Sequence, residues 1–418
     1  MTERLYYHDS FVYEFDAKIV DMLPASAQSR SALLLDRTAF YPTSGGQAFD
    51  TGVLVTPGTG SEERRVLEVG ERDSNSIVHF VDDITGLSAG TSIRGIIDKG
   101  RRRDHMQQHS GQHVLSAVFI KLFDFPTVSF HMSEDYCSID LDAKSLSPQQ
   151  VEDAERLANE VILEDRSVEI RFVSQDEAAG LGLRKLPPVE RDKLRLIDIR
   201  DFDLTACGGT HVRSTGQIGS ILLRKTEKVR QGIRVEFVCG QRAVKAARRD
   251  YIALSEAAGL YSTQLWDVPQ QIRKTQEEAK ANRRVREELL EELAQQHAIR
   301  IVAETAADKG RKIATRVFAD RDLTFIKLLA QQLTRNNGSV VALLAATSDP
   351  PALVFAQSPG SPHDMGAVMR DALAKLGGRG GGTRDMAQGG PQNKEQVATV
   401  LNDLAEKLRS LHEQSPQR

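Results

Sequence analysis

A chain of 418 residues is too long for one ordinary hydrophobic core and points to two or three domains. With 40% hydrophobic and 27% charged residues it has the balance of a water-soluble globular protein. A formal net charge of −3 excludes a global positive field for nucleic acid, so such a partner has to be held by local basic patches. Three stretches qualify: KGRRRDH from Lys99, LLRKTEKVRQGIR from Leu222 and KAARRD from Lys245. Taken singly, each reads as a solvated face. An odd, low count of three cysteines (Cys137, Cys207, Cys239) argues against a disulfide framework. The N-terminus MTERLYYHDS has no apolar signal region, and no apolar run approaches membrane-spanning length. The expectation is a cytoplasmic protein with no membrane partner.

Residues 1–95 read as strands. LYYHDSFVYEFDAKIVDML and SALLLDRTAF are rich in aromatic, β-branched and alternating apolar positions, and VLEV and SIVHFV continue the pattern. A small β-barrel is expected. The period then changes: in DHMQQHSGQHVLSAVFIKLF, Val114, Leu115, Val118, Phe119 and Leu122 recur at helical spacing. TVSFHM and YCSIDLD read as strands. SPQQVEDAERLANEVILEDR reads as a helix, with Ser147 as N-cap and Pro148 at the first helical position. VEIRFV, LRLIDI, GSILLRKTE and IRVEFVCG are strand-like, which predicts an α+β layer domain over 96–255.

Residues 262–300 read as a helical spacer. The run QQIRKTQEEAKANRRVREELLEELAQQH is highly charged, lacks Gly and Pro, and carries only a thin apolar stripe of Ile272, Ala279, Val285, Leu289 and Leu293. Residues 305–418 alternate strands (KIATRVF, SVVALLAAT, ALVFAQ) with helices (LTFIKLLAQQLTR, DMGAVMRDALAKL, NKEQVATVLNDLAEKLRSL), a small α/β domain. Its oddity is GGRGGGTRDMAQGG, Gly377 to Gly390, which reads as a glycine-rich loop. The chain as a whole is expected to be a multidomain α+β protein.

The chemistry concentrates in HSGQH and TACGGTH. His109 and His113 stand four apart, so on a helix both imidazoles share one face. Cys207 and His211 flank a turn that Gly208 and Gly209 make tight. Three nitrogens and one thiolate suit Zn²⁺ better than Mg²⁺ or Ca²⁺, and one ion per chain is expected. Two other readings stand beside a catalytic zinc. Four protein donors can close a purely structural shell. Alternatively, Cys207 beside His211 is a nucleophile–base pair, with Asp201 and Asp203 upstream as the nearest orienting groups.

Four motifs in order resemble a known family. HSGQH followed by CGGTH is similar to the editing domain of alanyl-tRNA synthetase and its free-standing AlaX relatives. FYPTSGGQAFDTG, Phe40 to Gly52, resembles the glycine-rich motif of the small barrel before that domain. VRSTGQIGSILLRKTEKVRQGIRVEFVCG resembles its closing strands. GGRGGGTRDMAQGG resembles the DHHA1 domain that follows. The chain begins at MTERLYY with no adenylation domain ahead of the barrel, so it resembles the long free-standing form.

The resemblance implies a zinc-dependent aminoacyl-tRNA hydrolase. Its substrate would be tRNA(Ala) mischarged with serine, with glycine as a further candidate. It implies metal ligands His109, His113, Cys207 and His211. It places Gly208, Gly209 and Thr210 beside the aminoacyl group, where their N–H groups could meet a developing oxyanion. Gln112 stands where synthetase editing domains often carry threonine near the substrate, so serine selectivity is less secure than hydrolysis. His131 falls in a region that lines the pocket in relatives, although it also reads as an ordinary strand histidine. Gly45, Gly46 and Gln47 of the barrel, with Arg379 and Arg384 of the C-terminal domain, are expected to touch tRNA. Arg384 stands where relatives often have proline. A homodimer through the C-terminal domain is a further expectation. The alternatives are a non-catalytic tRNA-binding module with a structural zinc and a metal hydrolase of another aminoacyl ester.

Overall fold

Alternation builds the first layer: Phe15, Ala17 and Ile19 point inward from one strand while Glu14, Asp16 and Lys18 point out. The computed structural model describes residues 2–25, 30–57, 62–73, 76–181, 183, 193–230, 232–308, 310–335 and 338–410. They fall into two compact units, Met1–Glu256 and Ala257–Arg418.

In the first unit β1 (Glu3–Arg4) is followed by β2 (Glu14–Leu23), β3 (Ala32–Leu35), β4 (Arg37–Thr38), β5 (Gly52–Val55), β6 (Glu63–Asp73), β7 (Ser76–Val81) and β8 (Ser92–Ile97). Six of these close a barrel in the order β2-β3-β7-β6-β5-β8, while β1 and β4 pair in parallel. Ile19, Leu33, Leu35, Phe40, Leu54 and Ile77 are among the side chains that fill the barrel.

Then comes α1 (Lys99–Phe123), capped by Asp98, whose carboxylate accepts from the Arg101 N–H. It ends at Asp124 in the left-handed conformation. β9 (Thr127–Met132) and β10 (Cys137–Leu141) follow. α2 (Pro148–Leu163) starts at a full capping box on Ser147 and Gln150, as the sequence predicts. β11 (Val168–Val173), α3 (Gln175–Ala179), β12 (Leu194–Ile199), β13 (Asp203–Ala206), β14 (Ile221–Val229), β15 (Gly232–Cys239) and α4 (Gly240–Leu260) complete the run. The strands make an antiparallel sheet β14-β15-β10-β9 and a second sheet β11-β12-β13. Val114, Leu115, Val118 and Phe119 of α1 pack into one core with Ile139, Ile162, Val235 and Phe237.

One basic patch is not a solvated face. Arg102, inside KGRRRDH, is fully buried and paired with the equally buried Asp50 of the barrel. Its guanidinium also donates to the carbonyls of Ser10 and Ala39. The helix face that carries it points into the base of the barrel, so the charge has to be satisfied there.

Beyond the end of α4, the second unit continues with α5 (Val268–Glu304), a helix of 37 residues. The expected apolar stripe is only partly used: Val285 and Leu289 stay exposed, and the buried positions are Val268, Ala294, Ala298 and Ile301. β16 (Arg311–Phe318), α6 (Leu323–Arg335), β17 (Ser339–Ala346), β18 (Ala352–Gln357), α7 (Met365–Leu376), β19 (Gly378–Gly382), β20 (Met386–Pro391) and α8 (Val397–Ser410) follow. They form a five-stranded sheet, β16-β17-β18-β20-β19, with a hydrophobic cluster on each face.

The glycine-rich stretch is therefore not the expected loop. It is an antiparallel hairpin, Gly378–Gly382 against Met386–Pro391, on the sheet edge. Glycine is poor strand material by propensity. Here it is tolerated because Leu373 of α7 packs so closely that a Cβ at Gly380 or Gly389 would stand 2.8 or 2.7 Å from its Cδ1.

Among the described residues no helix is long and apolar enough to cross a membrane.

Candidate metal centre

Helix α1 carries histidines at 105, 109 and 113, one turn apart on one buried face. The second half of the site arrives on the β12–β13 hairpin, which runs directly into Cys207. Arg195 of β12 donates to the Cys207 carbonyl and to the Tyr7 carbonyl, which fixes the start of the loop. Gly209 then passes so near α1 that a Cβ there would stand 2.2 Å from His109 Cε1. That approach lets His211 turn back toward Cys207.

His109, His113, Cys207 and His211 offer donor atoms that all lie within 4.8 Å of one another. Cys207 Sγ is 3.4 Å from His109 Nε2 and 3.3 Å from His211 Nε2. Tetrahedral zinc with N and S bonds of about 2.0–2.3 Å needs ligand atoms roughly 3.3–3.8 Å apart. These two sulfur–nitrogen separations meet that requirement, the remaining donor pairs lie within 4.8 Å, and imidazole and thiolate are both ligand types that zinc takes. The residues present fit the ion.

Each imidazole presents its other nitrogen, Nδ1, to an outer group. His109 Nδ1 is 2.7 Å from Gln47 Oε1, and His211 Nδ1 is 3.1 Å from the Ser110 hydroxyl. His113 Nδ1 lies 3.7 Å from Asp203 Oδ2, close enough for an ion pair but long for a hydrogen bond. Such partners behind ligating histidines set tautomer and ring orientation. Asp203 faces His113 and so does not orient a Cys207–His211 nucleophile pair.

Electrostatics favour a ligand-ready sulfur. Burial would raise the Cys207 pKa, but the imidazoles of His109 and His211 beside it outweigh burial and hold the thiol well below its usual range. Burial likewise depresses His113, yet Asp203 and the Cys207 thiolate overcome it and lift the imidazole to about 9. His211 is dominated by burial and falls to about 3. His105, which sequence reasoning passed over, is buried and pushed to about 3 by burial and by Arg101, Arg242 and Arg102. It lies outside the four-donor group. Its one signal was its place four residues before His109.

A protein from Pyrococcus horikoshii named alanyl-tRNA editing protein AlaX-L is 31% identical over 417 residues, which cover 98% of this chain and 99% of that protein. This chain belongs to the AlaX-L family of alanyl-tRNA editing proteins. Alanine–tRNA ligases align over the same span: that of Pyrococcus abyssi is 29% identical over 97% of this chain, and that of Archaeoglobus fulgidus is 30% identical over 96%. The chain spans 44% of the length of either ligase. Three family descriptions match segments: tRNA synthetases class II (A) at 2–101, threonyl and alanyl tRNA synthetase second additional domain at 194–235, and DHHA1 domain at 309–410. This chain thus combines the N-terminal barrel with a C-terminal DHHA1 domain in an α+β architecture.

The remaining expected residues divide. Gly45 is exposed at the tip of the SGGQ turn with open space around it. Gly46 is locked by packing: at φ +83° it sits where a Cβ would stand 2.6 Å from the Phe130 carbonyl oxygen. Gln47, expected on the RNA face, is instead fully buried, with both ends of its amide bonded inside the protein. The expected oxyanion donors are also revised. The Gly209 N–H points at Cys207 Sγ, and the Thr210 N–H donates to Gln47. Thr210 is fully buried, and its hydroxyl accepts from the Gln47 amide. Gly208 stays exposed at the lip. Gln112 is half-buried and donates to Ser116, outside the four-donor cluster. His131 is an exposed strand residue opposite Ser138. Arg379 and Arg384 are exposed on and beside the glycine hairpin.

Proposed function

We propose that this chain is a trans-acting aminoacyl-tRNA deacylase, zinc-dependent, that hydrolyses the ester of tRNA(Ala) mischarged with serine, with glycine as a second substrate. The observation that carries this reading is the four-donor cluster in a chain aligned end to end with an alanyl-tRNA editing protein. The working division is a barrel at 1–95, an editing domain at 96–255, a spacer at 262–300 and a tRNA-gripping domain at 305–418.

Zinc held by His109, His113, Cys207 and His211 would supply a Lewis acid for the ester carbonyl or for a water. The protein groups do the rest. Arg195 holds the Cys207 carbonyl and so the entry to the loop. Gly208, exposed and without a side chain, leaves the lip open for an aminoacyl group. Gln112, with donor and acceptor on one amide, is the candidate for a serine hydroxyl. A site that bonds that hydroxyl rejects alanine, because its polar groups would be left unpaired. Gly45, Arg379 and Arg384 are surface positions for the tRNA backbone.

Single-turnover deacylation of Ser-tRNA(Ala) beside Ala-tRNA(Ala), with zinc-loaded protein, tests the reading. Rapid loss of serine with alanine spared is the expected result. Loss of neither, in protein that holds its zinc, replaces the reading with a tRNA-binding module built on a structural ion. Four protein donors, which can close a tetrahedral shell, favour that second reading.

Metal uptake has a predicted pH dependence. The Cys207 thiol is held well below its usual range and His211 falls to about 3, whereas His113 is raised to about 9, so below pH 9 the ion has to displace the His113 proton. Metal affinity therefore weakens about tenfold for each unit that pH falls from 9 to 7. Chelator competition at three pH values reads the slope; a flat profile overturns the assignment of an imidazolium at His113.

A further inference from the structure

We propose that Gln47, supplied by the barrel, is a positioning residue of the metal centre: its amide selects the tautomer of His109 and pins the CGGTH turn in the same contact. The inference rests on the metal-centre reading above and extends it to a residue outside the editing domain.

The atoms determine the direction of each bond. The Thr210 backbone N–H, 3.1 Å away, can only donate, so the Gln47 atom facing it is the carbonyl oxygen. That same oxygen lies 2.7 Å from His109 Nδ1. Because an amide oxygen only accepts, Nδ1 carries the proton. The lone pair is then on Nε2, which faces Cys207 Sγ at 3.4 Å. The Gln47 NH₂ completes the contact by donating to the Thr210 hydroxyl at 2.9 Å. One side chain thus fixes a ligand from α1 and the loop that carries two more.

The turn that carries Gln47 is itself clamped. Ser44 and Gln47 exchange backbone hydrogen bonds of 3.1 and 2.9 Å. The Gly46 carbonyl accepts from the Met132 N–H at 3.2 Å, and Gly46 lies flat on Phe130. The amide therefore approaches His109 from a rigid base, with zero exposure to water. A residue that contacted RNA through its side chain would need the opposite placement.

The test uses the full chain loaded with Co²⁺, read by chelator competition and by the visible spectrum of the cobalt–thiolate centre, with circular dichroism as the fold control. Gln47→Ala is expected to weaken cobalt binding about 10–100-fold and to change the cobalt bands, the usual scale for removing a group behind a ligating histidine. Gln47→Glu keeps acceptors toward His109 and the Thr210 N–H and is expected to restore most of that affinity. It also covers the case in which the alanine variant does not fold. Unchanged affinity and spectrum in Gln47→Ala overturn the proposal, as does equal loss in both variants. Wild-type protein that takes up no cobalt ends the metal-centre reading and this one with it. A failure confined to the variants ends this one alone.

Discussion

Gly209→Ala is expected to abolish editing while the chain remains folded. The new Cβ would stand 2.2 Å from His109 Cε1, 2.5 Å from Nδ1 and 3.1 Å from Gln47 Oε1. Carbon atoms prefer about 3.5–4.0 Å, so the imidazole has to give way by more than an ångström. It cannot do so cheaply. On one side Gln47 holds Nδ1, and on the other Nε2 faces Cys207. Either the loop lifts off α1 or His109 leaves the cluster, and both separate donors that lie 3.3–3.4 Å apart. A displacement of that size costs at least about a hundredfold in rate. Gly208→Ala is the control for zinc retention only, since that glycine also leaves the lip open for the aminoacyl group. Its Cβ would meet Tyr7 Oη at 3.4 Å, ordinary contact, at an exposed position. Bound zinc per chain and single-turnover hydrolysis of Ser-tRNA(Ala), measured for both variants, separate the cases. Gly209→Ala protein with full zinc and the wild-type rate would remove the steric argument.

Each pair of donors was legible in the sequence because its spacing is local, whereas the meeting of the two pairs, 98 residues apart, rested chiefly on the family resemblance. His109 and His113 share a helix face by period alone, and Cys207 and His211 flank a two-glycine turn. What holds them was not legible, because those partners come from far away in the chain. Gln47 lies 62 residues from His109, and the Ser110 hydroxyl reaches His211 across 101 residues. No periodicity reports such a meeting. A buried glutamine in a turn motif also looks like a surface glutamine until the turn is seen to fold against β9. The same limit explains the oxyanion expectation: the N–H groups of Gly209 and Thr210 look available until sulfur and an amide oxygen are found on them. In the C-terminal unit, helices and strands follow from pattern, yet GRGGG reads as a loop because strand propensity argues against a strand there. Pairing with β20 and close packing under α7 override that propensity.

Arg102 joins the site to the stability of the barrel. Arg102→Met should destabilise the first unit by about 3–5 kcal/mol, because it leaves the Asp50 carboxylate buried with its cation removed. Both partners have zero side-chain exposure. For a unit of this size, a loss on that scale lowers the thermal midpoint by about 6–20 °C. The Tyr41 N–H, 2.7 Å from Asp50, is too little compensation for a full charge. Arg102→Lys should not rescue, since one ammonium cannot reach Asp50, the Ser10 carbonyl and the Ala39 carbonyl together as the guanidinium does. Adding Asp50→Asn to Arg102→Met should recover part of the loss, because the stranded charge is gone. Ser10 links this pair to the metal centre: its carbonyl accepts from Arg102, and its hydroxyl accepts from the His211 N–H at 3.1 Å. Metal affinity should therefore fall in the single variant and return in part with the double. Thermal unfolding and cobalt competition on the three variants measure both effects. A single variant as stable as wild type would mean that water reaches Asp50, contrary to its burial.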